Sequence, residues 1–79
     1  MRGTITSVKN QESKYGGNVY LVTFSCEDNK SRRSWIDPGN RNFTRWKKII
    51  EKGTGAVVGN LNTKDEFLID ADSFPEVIE

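Results

Sequence analysis

The sequence predicts an all-β fold with one helix: five short strands with the helix between strands three and four. Three observations carry that prediction. From Val19 to Cys26 apolar and polar residues fall on two alternating faces, the two-residue period of a strand. Strand-like runs rich in β-branched and aromatic residues recur between short turn-forming stretches. Only one stretch, Phe43 to Ile50, spaces its apolar residues at helical intervals.

Taken in order, Thr4 to Val8 is β-branched, follows Gly3 and reads as the first strand. Polar residues Asn10 to Lys14 and the turn Gly16-Gly17-Asn18 separate it from the second strand, Val19 to Cys26. There Tyr20, Val22, Phe24 and Cys26 share the expected core face, and Val19, Leu21, Thr23 and Ser25 share the other. The loop Glu27 to Lys30 returns the chain into a third strand, Ser31 to Ile36, which Asp37-Pro38-Gly39-Asn40 stops. Asn42 is the expected N-cap and Gly53 the C-terminal stop of the helix, with Phe43, Trp46, Ile49 and Ile50 as its apolar stripe. Gly55 to Leu61 reads as the fourth strand, Asn62 to Glu66 as a loop, and Phe67 to Ala71 as the fifth strand. Pro75 ends that regularity and leaves Glu76 to Glu79 as a short tail or final strand.

Composition narrows the chemistry. Seventy-nine residues make a single domain over 1–79, small enough that every apolar strand residue matters to stability. The lone cysteine, Cys26, forbids an internal disulfide and reads as a small buried hydrophobe. With no histidine, the usual zinc site and Cys–His nucleophile are excluded, so neither cofactor nor enzymatic activity is expected. Asp70 and Asp72 could share a strand face as Mg²⁺ ligands, but solvated charge near a strand end is the reading preferred. No run approaches the ~20 apolar residues of a membrane span, and no signal-peptide core precedes the first strand, so a cytoplasmic protein is expected. The net charge of +1 conceals a basic portion, residues 1–52 at +6, and an acidic one, residues 53–79 at −5.

The segment from Tyr15 to Trp35 combines strand-forming residues, aromatics and cations. Flat rings for bases and charges for phosphates are what a single-stranded nucleic acid needs. Arg33 and Trp35, two apart in a strand, point the same way. Ile36 seeks burial, which turns Trp35 outward; the alternative packs Trp35 inside. Tyr20 and Phe24 belong to the core, and Trp46 to the helix stripe. Arg45, Lys47 and Lys48 could extend a phosphate track, although a solvated helix face explains them as well.

The order strand, strand, strand, helix, strand, strand resembles the OB-fold, a five-stranded Greek-key barrel, and more particularly its single-stranded nucleic-acid-binding members. The resemblance covers nearly the whole chain and rests on element order, on glycines where strands begin and on the hairpin pattern. It implies a binding surface on the outer face of strands two and three, flanked by the loops after strands one and four. In this chain that surface comprises Leu21, Thr23, Arg33 and Trp35, with Lys9, Lys14 and Tyr15 from the first loop. Lys30 from the hairpin turn and Lys64 from the loop Asn60 to Glu66 complete it. The expected function is largely sequence-independent binding of single-stranded nucleic acid, DNA ahead of RNA. The alternative is a protein-interaction module of a replication or transcription complex, using the same barrel. In a further reading, the acidic segment Asp70 to Glu79 docks a protein partner.

Overall fold

The computed structural model describes residues 1–14 and 16–78. Its elements are β1 (Gly3–Glu12), β2 (Asn18–Cys26), β3 (Ser31–Ile36), α1 (Phe43–Lys52), β4 (Val57–Gly59) and β5 (Glu76–Ile78). All five strands form one antiparallel sheet in the order β3-β2-β1-β4-β5. That sheet is open, with β3 and β5 at its edges, which corrects the expected closed barrel.

β1 is longer than its β-branched run suggests. Asn10, Gln11 and Glu12 pair with Tyr20, Val19 and Asn18, so the expected polar loop is mostly ladder. Gly16 and Gly17 make the tight return possible, at φ 89° and 79°. A bulge at Thr6 inserts one extra residue, so Ile5 and Val8, three apart, stand opposite Phe24 and Val22 on the same inner face. Ser7 and Lys9 consequently stand opposite Thr23 and Leu21 on the outer face.

α1 covers the inner face. Trp46 and Ile49 are buried among Ile5, Val22, Phe24, Ile36 and Val58, and the Phe24 and Trp46 rings lie 6.3 Å apart at 56°. The Trp46 indole N–H donates to the Ala71 carbonyl at 3.0 Å, so the largest buried ring leaves no orphan donor. Asn42 does not cap the helix with its side chain. Its amide instead donates to the carbonyls of Ser73 and Asp72, at 2.9 and 3.3 Å. Asn40 accepts the Asn42 backbone N–H at 2.7 Å and donates to Ala71 at 2.8 Å. These two asparagines tie the start of the helix to the 71–73 segment.

The expected fifth strand at Phe67 to Ala71 is reduced to isolated bridges, Arg33 with Leu68 in parallel and Thr63 with Ile69 antiparallel. Local side chains compete for its backbone. The Asp65 carboxylate accepts the amides of Phe67 and Leu68 at 2.7 and 2.9 Å, and Asp70 accepts that of Asp72 at 2.9 Å. The fully buried Ser73 hydroxyl donates to the Asp70 carbonyl at 2.6 Å and accepts the Asn62 amide at 2.9 Å. β5 is supplied instead by Glu76–Ile78, which pair with β4. Gly59 permits that approach: a Cβ there would meet Ile78 Cδ1 at 2.7 Å. The radius of gyration, 11.5 Å, matches the ~11.6 Å expected of a chain of this length folded as one body.

Candidate functional site

The β2–β3 hairpin separates its side chains by face. On the inner side Val22, Phe24, Ser34 and Ile36 are each no more than 1% exposed. The outer side carries Leu21 opposite Trp35, Thr23 opposite Arg33, and Ser25 opposite Ser31. β1 extends the first two of these pairs into rows across three strands, Lys9–Leu21–Trp35 and Ser7–Thr23–Arg33. Trp35 is 47% exposed, Arg33 is exposed two residues before it, and Lys9 is exposed at the far end of its row, beyond Leu21. Neither cation makes an ion pair among the described residues.

A ring absent from the sequence-based site joins this surface. The Arg33 amide donates to the Phe67 carbonyl at 3.1 Å, and the Ile69 amide donates to the Arg33 carbonyl at 2.9 Å. This bridge holds the 67–69 segment against β3. Phe67, 66% exposed, lines a cleft of about 280 Å³ together with Thr23, Ser31 and Arg33. A neighbouring cleft of about 220 Å³ is lined by Trp35, Lys64 and Leu68, and also by Asp70 and Asp72. Phe67 and Trp35 thus stand on either side of the Arg33 position. The one sequence signal for an outward Phe67 is Asp65, two residues earlier, whose carboxylate closes the turn that presents the ring.

The hairpin turn is fixed by charge. Asp28 accepts two hydrogen bonds from Arg32, at 2.9 and 2.8 Å, and a third from the Lys30 amide at 3.2 Å. The bidentate guanidinium contact holds the Asp28 carboxyl down at about 2, and the carboxylate in turn keeps Arg32 charged. Arg32 is buried on the inner face, with its Nε unpartnered. It therefore serves the fold and leaves Arg33 as the outward cation of the pair.

The remaining expected residues divide between this face and its surroundings. Lys9 lies within β1 rather than in a loop. Leu21 and Thr23 are half-buried on the outer face, and Lys30 stands 3.8 Å from Glu66. Lys14 is exposed near the β1–β2 turn, while Tyr15 lies outside the described residues. The structure therefore brings together Lys9, Leu21, Thr23, Arg33, Trp35 and Lys64, and adds Phe67. The expected partner-docking segment is divided: Glu76–Ile78 pair with β4 as β5, and Glu79 lies outside the described residues.

Among the described residues, no group of three His, Cys, Asp or Glu stands close enough to hold a metal ion. No helix there is long and apolar enough to cross a membrane. Compared with protein families, curated proteins and solved structures, the chain shows no significant match.

Proposed function

We propose that the protein binds single-stranded nucleic acid on the outer face of β2 and β3, with little sequence preference and with DNA ahead of RNA. The observation that carries this reading is the exposed Trp35 beside the unpaired Arg33, with the exposed Phe67 on the other side. Two outward rings offer stacking faces that tolerate any base, and Lys9, Arg33 and Lys64 supply charge for the phosphates. A surface of this size accommodates roughly 4 nucleotides. We read the architecture as an OB-fold-like Greek-key sheet left open at one seam. The parallel bridge between Arg33 and Leu68, together with β1 pairing both β2 and β4, supports that reading.

Tryptophan fluorescence tests the proposal. Trp46 is fully buried, so its emission forms a constant background, whereas a base stacked on Trp35 quenches it. Titration with oligo-dT should give quenching that weakens with added salt and disappears in Trp35→Ala. Absence of binding to the wild-type protein at low salt would sink the idea.

A further inference from the structure

A third cleft, of about 400 Å³, opens between α1 and the 74–77 segment. α1 packs on the inner face of the sheet through Trp46 and Ile49, so this cleft lies on the side opposite Trp35. Arg41, Arg45 and Lys48 line it against a single carboxylate, Glu76. Its walls also include Ile49, Pro75 and the Phe74 ring, which is 56% exposed.

The cations differ in how they are held. The Arg45 guanidinium lies 3.7 Å from the Phe74 ring centroid and donates to the Pro75 carbonyl at 3.4 Å, which fixes its direction. Arg41 faces Asp72 at 3.9 Å, a long contact between two mostly exposed side chains that a better acceptor can displace. Lys48 makes no ion pair among the described residues. Glu76 is engaged by the Asn60 amide at 3.1 Å.

We propose that this cleft docks a short acidic peptide segment of a partner protein, one that carries an apolar or aromatic side chain between carboxylates. The three cations complement the carboxylates, and the exposed Phe74 ring, backed by the buried Ile49 and Pro75, receives the apolar group. A nucleic-acid strand fits less well. It carries a phosphate at every step, and on leaving the cleft it meets Asp72 beyond Arg41 and Glu76 in the opposite wall. A peptide can confine its charge to the cleft.

Fluorescence anisotropy of the full chain with a fluorescein-labelled peptide of alternating aspartate and phenylalanine tests this. Saturable, salt-sensitive binding is expected, weakened by on the order of tenfold or more in the double variant Arg41→Glu, Lys48→Glu. Both substituted side chains are exposed, and an unchanged thermal melt verifies folding. Trp35→Ala should leave peptide binding intact, which separates this site from the nucleic-acid face. No binding at low salt, binding indifferent to the charge reversal, or displacement of the peptide by oligo-dT would overturn the proposal.

Discussion

The two faces of the β2–β3 hairpin are built from the same alternating residues, yet they answer to different demands. Phe24 and Ile36 on the inner face meet Trp46 and the rest of the core, where shape and volume are constrained from every side. Trp35 and Arg33 on the outer face meet solvent across much of their surface and have no helix above them. The same residue type, tryptophan, is therefore a structural element in α1 and an available surface in β3. Burial ties a ring to stability, whereas exposure frees it for a ligand.

Substitution should separate these roles, beginning with the largest effect. Trp46→Ala removes the largest buried ring and should cost about 3–5 kcal/mol of unfolding free energy, read as a lower urea midpoint. Trp35→Ala should change stability by less than about 0.5 kcal/mol. It should nevertheless weaken oligo-dT binding by ~1–3 kcal/mol, the worth of one stacked base. Phe67→Ala should reproduce that loss in the same titration at the smaller end of the range, since its ring sits on a turn rather than a strand. An unchanged affinity would remove Phe67 from the interface.

Two smaller effects sharpen the contrast between the neighbouring arginines. Arg33→Ala should flatten the dependence of log affinity on log salt by about 0.7, the contribution of one phosphate contact to a single strand. Arg32 acts through Asp28 instead. The Asp28 carboxyl is depressed to about 2 in the folded state, so its contribution is complete above the ordinary carboxylate range. That contribution is lost as pH falls toward about 2, because protonation breaks the Arg32 contact. Acid unfolding followed by circular dichroism should show a shallower stability slope between about pH 4 and pH 2 in Asp28→Asn. The effect is modest because Asp28 remains partly open to solvent.

Alternation assigned the faces of β2 from Tyr20 to Cys26, whereas in β3 it left two registers open, of which Ile36 favoured the one the structure shows, with Arg33 and Trp35 outward. The reason is that a one-residue slip would have driven Arg33 and Trp35 inside and Ile36 out. β1 was harder to delimit, because Asn10, Gln11 and Glu12 have poor strand propensity and are held in the ladder by their partners on β2. The stretch from Phe67 to Ala71 has strand composition, but Asp65 draws the Phe67 and Leu68 amides into a turn, and Asp70 takes the Asp72 amide just beyond it. Phe67 was thereby hidden as a strand residue, although it stands on the candidate surface. Asn42 has the residue type of a cap and spends its side chain on the 72–73 carbonyls.

By itself the sequence determined the order of the first three strands along the chain, the single helix and the inward Trp46, and it favoured an outward Trp35, because these follow from the period of apolar residues along the chain. Only the tertiary structure decided that the sheet stays open, that Glu76–Ile78 become β5, and that Phe67 stands near Arg33. Those outcomes depend on which backbone groups distant segments offer one another, and on which side chains reach them first. Local periodicity carries no record of that competition.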